Sequence, residues 1–205
     1  MTQWVGDSGI GRPRGPTALV RAWGEVLVRP HVFFRYNVAP GDQGPGITFL
    51  AAVVFLEEAI RLALVPNAYP VFGGRPTLSA VVWLLFVVVL VAPLGTHLVA
   101  ALQTVLLAVA APDRAGVSET VQVICYATAP CVLAGIPDPR LRTVVVAYGI
   151  GVYLVGIAIV HHLGPWRTLA LGGLPAALVF GVGFRGFAAG GRVAQVAIDA
   201  VSVLG

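Results

Sequence analysis

LSAVVWLLFVVVLVAPLGTHLVAALQTVLLAVAA, residues 78–111, holds no Asp, Glu, Lys or Arg, and His97 is its one side chain that titrates near neutrality. A soluble domain cannot hide so long an apolar run, whereas a bilayer core asks for about 20 apolar residues per helical crossing. As a single helix its roughly 34 residues would extend ~51 Å, well past a hydrocarbon core of ~30 Å. Divided at Pro93 it would give two pieces of about 16 residues, each short of a crossing. The reading preferred on length is one long helix, kinked at Pro93, with its end outside the bilayer.

The rest of the chain agrees with a lipid solvent. Hydrophobic residues are 58% of the 205 and charged residues 11%, against roughly a quarter charged in soluble domains. Mean hydropathy is +0.88. The net charge of +4 rests on 13 basic residues, all of them Arg. They flank apolar runs, where orientation in a bilayer uses them, rather than forming a nucleic-acid patch. No nucleic-acid partner is therefore expected.

Four further spans follow from apolar runs bounded by Pro, Gly and polar clusters: about 47–65, 117–135 (broken late by Pro130), 141–160 and 168–184. Residues 1–16 read as a flexible tail without the apolar core of a secretory signal. From Thr17, a plausible N-cap, Ala18, Ala22, Trp23 and Val26 recur on one face, opposite Arg21, Glu25 and Arg29. Such a helix suits the membrane interface or the surface of the protein's own spans. RPHVFFRY, residues 29–36, continues the interfacial composition. At the other end Val193, Val196, Ala197, Ala200, Val201 and Leu204 form an apolar stripe opposite Gln195, Asp199 and Ser202. Arg12, Arg14, Arg21, Arg29 and Arg35 all precede the first span, which predicts a cytoplasmic N-terminus. Arg114 and Arg167 then fall in loops on the inside and Arg75, Arg140, Arg142, Arg185 and Arg192 in loops on the outside, so the orientation rests on the N-terminal cluster and the loops do not confirm it.

Charge enters a span in one place, FLEEAIR at 55–61. Glu57, Glu58 and Arg61 lie about one helical turn apart, so Arg61 can offset a carboxylate at i,i+4 or i,i+3, and a Glu57–Arg61 pair is expected. Ionisable residues inside a span are costly and point either to transport or to an ion pair that fixes packing. The same stretch resembles the EExxxR motif of intramembrane CAAX-type proteases, but the Arg comes one residue early. That family's later motifs place Asn or Asp four residues after His. His97, His161 and His162 instead have Ala101, Pro165 and Trp166 there. No metal ligand set, cofactor or catalytic residue is expected.

Cys125 and Cys131, six residues apart without acid or His beside them, read as small apolar core residues. Gly181-Val-Gly-Phe-Arg-Gly186 matches G-x-G-x-x-G without the strand–helix unit that the dinucleotide site requires. Gly186 and Gly190 fit better as small residues that let helices approach. His161 and His162, where the fourth span meets water, read as interfacial.

Three features together resemble the Yip family of multi-pass membrane proteins, in its prokaryotic, archaeal branch. One is P-x-x-F-F, here Pro30, Phe33 and Phe34. Another is TVQVICYATAP with Tyr126 and Pro130, closed by Gly135-Ile-Pro137. The third is a fourth span ending in His161. The resemblance covers about 18–184 and implies a five-span bundle with a cytoplasmic N-terminus and no catalytic residues. Eukaryotic members bind Rab-type GTPases in vesicle traffic, a role that does not carry over to a prokaryotic chain with a short tail.

The chain is thus expected to be all-α: an integral membrane bundle of about five transmembrane helices with an N-terminal interfacial amphipathic helix. Its parts are a cytoplasmic tail (1–46), a five-span domain (47–190) and a short amphipathic tail (191–205). Its expected place is the cell membrane, with the C-terminus outside. It is expected not to be an enzyme but to act through protein or lipid contacts, with the bilayer, a membrane-protein partner or a second copy as partners. The rival reading is a small transporter or channel using Glu57 and Glu58, and the remote one a CAAX-type protease.

Overall fold

The computed structural model describes residues 15–204, and the side chains to residue 202; the tail expected over 1–16 lies almost wholly outside it. Among the described residues the chain is all helix, with no strand. In order come α1 (Pro16–Val28), α2 (Pro30–Asn37), α3 (Gly44–Leu64), α4 (Pro76–Phe86), α5 (Ala92–Ala110), α6 (Val117–Ala127), α7 (Pro139–Val160), α8 (Pro165–Ala176) and α9 (Gly186–Leu204). Proline opens many of these helices, since its missing N–H is an orphan in the first turn anyway. α1 is one of them, and the expected Thr17 cap gives way to Pro16 behind Gly15.

α4 and α5 are joined by a π-helical segment, Val87–Val91, and run as one helix over Pro76–Ala110, 35 residues long. The long-helix reading of 78–111 is therefore the observed one. Pro93 cannot donate a backbone hydrogen bond, and the turn before it adjusts: the Ala92 N–H donates to the Val87 carbonyl, five residues back. A second π segment, Ala177–Gly183, follows Pro175 and extends α8 to a 19-residue span, Pro165–Gly183. Between α6 and α7 the chain tightens to a 3-10 helix, Ala129–Gly135, bent 45° from α6 beside Pro130, as the broken third span predicted.

By length and composition, three helices can cross a bilayer: Pro76–Ala110, Pro139–Val160 and Pro165–Gly183. Taken together, α6 and its bent 3-10 extension can make a fourth. α3, 21 residues long, has the length of a crossing and carries Glu57, Glu58 and Arg61, so a bundle of about five spans stands. Val81, Leu85, Val89, Leu94, Leu98 and Val105 of the longest helix all face outward, as lipid contact requires. α6 and the 3-10 helix form the interior, with Val121, Ile124, Cys125, Tyr126, Ala129 and Cys131 fully buried. Both cysteines are free and buried, as expected for small core residues.

α1 lays Ala18, Ala22 and Val26 on the protein itself, and the Trp23 indole N–H donates to the Ala129 carbonyl at 2.8 Å. Of the two settings open to it, packing on the spans holds this face. The RPHVFFRY stretch is also more than interfacial: it forms α2, and Phe33 and Phe34 are buried. At the far end α9 continues unbroken through residues 190 and 191, so the expected boundary there falls inside a helix. Gly186 and Ala189 pack on the bundle, whereas 194–202 are exposed.

Candidate functional site

Two groups of polar or motif residues stand out, meeting α3 at Glu57 and Glu58 and, about two turns earlier, at Phe49. The first is ionic. α3 carries Glu57 and Glu58 inward, with side-chain exposures of only 4% and 6%. Arg61, one turn on, turns back onto Glu58: its Nε and Nη2 donate to Glu58 Oε2 at 2.9 and 2.5 Å. Its Nη1 donates to the Ala68 carbonyl at 2.7 Å, tying the helix to the following loop.

The expected Glu57–Arg61 pair is therefore corrected. On this helix the i,i+3 carboxylate lies nearer the guanidinium, and Glu57 has another cation. Arg185 Nη2 donates to Glu57 Oε1, and its Nη1 to Glu58 Oε1 at 3.2 Å. The sequence alone places Arg185 in an outside loop. It sits in the turn between the second π segment and α9 with φ of 59°, a left-handed conformation that costs a non-glycine residue energy. That turn aims the guanidinium back at α3. Two carboxylates and two guanidiniums thus meet in one network with no net charge.

Gly135, from the Gly-Ile-Pro137 motif, explains how the 3-10 helix comes so close. A Cβ there would collide with the Glu57 carbonyl and reach 3.0 Å from Ile60 Cβ. Glycine lets the backbones of α3 and the 3-10 helix touch beside the ion network. Arg142 caps the same region, donating from Nε to Ala134 O at 2.8 Å and from Nη2 to Ile136 O at 3.4 Å.

The second group is aromatic. Pro30 opens α2 and so places Phe33 and Phe34 under α6 and α7. Phe33 meets Tyr126 edge-on at 4.8 Å between centroids, Phe34 meets Phe33 at 5.6 Å, and Phe49 meets Tyr126 at 5.1 Å. Gly156 leaves room for Phe34, whose Cε2 would lie 3.0 Å from a Cβ there. The Tyr126 hydroxyl is buried with no hydrogen-bond partner among the described residues.

His161 ends α7 but is not interfacial. It is 2% exposed, with Nε2 3.1 Å from the Thr120 hydroxyl. Burial first, then the His162 and Arg114 charges, pushes its pKa down to about 4. His162 takes up the left-handed turn after it. The motif residues Pro30, Phe33, Phe34 and Tyr126 therefore join α2 to the interior, His161 is buried at the end of α7, Pro130 accompanies the bend after α6, and Pro137 follows the glycine against Glu57.

The protease features do not assemble. His97 bonds Gln43 Oε1 and the Pro93 carbonyl, His161 bonds Thr120, and among the described residues no three His, Cys, Asp or Glu group as metal ligands. In the G-x-G-x-x-G stretch, Gly186 does approach α7, since a Cβ would lie 2.6 Å from Val146 Cγ1. Gly190 has open space, so the small-residue reading holds at one of the two positions.

A helical membrane bundle with a buried, internally neutralised ion network is the class these features define. The chain belongs to the Yip1 domain family, whose model matches residues 24–185, most of its length. Neither the curated proteins nor the solved structures yielded a match.

Proposed function

We propose that this Yip1-family chain is a non-enzymatic multi-pass protein of the cell membrane, acting through contacts with lipids or other membrane proteins. Its N-terminus is cytoplasmic and its C-terminus outside, a placement supported by the Arg residues ahead of α3 and by five crossings. The cytoplasmic part lies ahead of α3, with α1 folded back onto the spans through Trp23 and the Ala129 carbonyl, and the end of α9 is the counterpart across the membrane.

The observation that carries the reading is the pairing of Glu57 and Glu58 with Arg185 and Arg61. A transporter would need a carboxylate that can be vacated to take an ion or proton at modest cost. These carboxylates already hold fixed cations, which suits holding α3 to the turn before α9. Liposomes containing the protein should pass no more protons, Na⁺ or K⁺ than empty ones. Flux that disappears on Glu57→Gln or Glu58→Gln would replace this reading with the transporter. Cross-linking in native membranes should capture a membrane protein or lipid on the exposed apolar faces; a chain that captures neither contradicts the proposal.

A further inference from the structure

A cavity of about 190 Å³ opens between α3, α5 and the two π segments. Val54, Val87, Val91 and Val179 give it apolar walls, and Glu57 and Glu58 stand at its polar end. Thr96, 7% exposed, also lines it. Thr48, Thr104, Thr120, Thr143 and Thr168 each give their hydroxyl to the carbonyl four residues back. The hydroxyl of Thr96 makes no hydrogen bond among the described residues, and neither does Oε2 of Glu57, whose Oε1 takes Arg185. A free donor-acceptor and a free acceptor therefore share a space whose remaining lining, Glu58 and Thr128 apart, is apolar or glycine.

We propose that this cavity is a binding site for an uncharged amphiphile with a hydroxyl head. The head would donate to Glu57 and accept from Thr96, satisfying both groups. The net charge of the four ionic side chains decides the class of head. They sum to zero, and Arg142, the further cation beside them, is turned to the Ala134 and Ile136 carbonyls and is not among the lining residues; an ammonium or carboxylate would add a charge without a partner of its own in a low-dielectric site, whereas a hydroxyl adds none. Size also fits: an engineered apolar cavity of about 150 Å³ already accepts benzene. Val91 and Leu178 line the cavity and are also exposed on the outer surface, so a longer tail can run out past them among lipid chains. Residues of both π-helical segments line it, a distortion that is frequent at functional sites. The proposal names one lipid-like ligand class within the reading above, yet its test does not depend on capture of any partner.

The full-length protein in phosphatidylcholine nanodiscs can be photolabelled with four diazirine probes of equal length: an eight-carbon alcohol, amine, carboxylate and alkane. The alcohol should label peptides containing Val87, Val91, Leu178 or Val179, and unlabelled octanol should compete. Thr96→Val should cut that labelling about tenfold while Thr96→Ser retains it. Gly95→Leu, at a lining position where a Cβ meets nothing within 4 Å, should block it by filling the space. Should Gly95→Leu fail to fold, the two Thr96 variants decide alone. Equal labelling by all four probes, preference for a charged probe, or indifference to Thr96→Val would each overturn the proposal.

Discussion

Two regions of this bundle, about two turns apart along α3, solve the same problem, that of pinning helices together in lipid, with opposite chemistry. Around Tyr126 the chain uses rings: α2, α3 and α6 are joined by Phe33, Phe49 and Tyr126, with a hydroxyl left unpartnered. Around Glu57 it uses charge, joining α3 to a turn more than a hundred residues away through Arg185. The aromatic region should lose stability with the volume removed. The ionic region should respond to charge balance instead, because one missing partner leaves a buried ion uncompensated while removing both does not. The contrast between shape and charge is what substitutions can break.

Arg185→Leu should be the most damaging single change, lowering stability by on the order of 3 kcal/mol, the low end for broken buried pairs because 32% of its side chain is exposed. Thermal melting in detergent, followed by size exclusion, would read it. A variant that melts like the wild type would mean that Glu57 and Glu58 do not depend on Arg185. In the aromatic region Tyr126→Ala should cost about 3 kcal/mol, the usual range for emptying a ring-sized volume. Tyr126→Phe is the sharper probe of that region. Its hydroxyl has no partner, so deleting it should be neutral or slightly stabilising. A large loss there would place a hydrogen bond where the rings alone were held responsible.

Between these effects lies the His161–Thr120 contact. The folded-state pKa of His161 falls to about 4 through burial, below the ordinary value of ~6.5. The unfolded chain therefore takes up a proton before the native one does. Stability is fully present above pH ~6.5 and declines as the pH falls toward 4, by about 2 kcal/mol between pH 7 and 5. Melting temperatures across that range should drop in the wild type and stay flatter in His161→Leu. Identical slopes would show that the imidazole is solvated.

Much of this was legible in the sequence, and the gaps have physical causes. The apolar runs placed the spans to within a few residues, because length and hydropathy set crossings regardless of partners. The unbroken helix over 78–111 followed from arithmetic on its rise per residue. The neighbourhood of Phe33 and Tyr126 was marked by short motifs, although nothing in them said that the rings would meet. Arg185 was missed because local spacing favoured a partner for Glu57 within α3, and no pattern links a loop arginine to a carboxylate 128 residues earlier. His161 looked interfacial because its position at a span end is visible, while its burial depends on Thr120, 41 residues away. The π segments, composed of Val, Leu, Ala, Phe and Gly, carry no sequence signature. Only the neighbouring Pro93 and Pro175 hint at them.

The central claim is that Arg185, rather than Arg61, neutralises Glu57, and a rescue experiment tests it most directly. Glu57→Gln should be introduced into Arg185→Leu and, separately, into Arg61→Leu, with unfolding free energies measured for the singles and doubles. Removing the Glu57 charge should restore a substantial part of the stability lost in Arg185→Leu and little of that lost in Arg61→Leu. Rescue of Arg61→Leu alone, or a double variant with Arg185→Leu that is less stable than the single, would contradict the pairing on which this account rests.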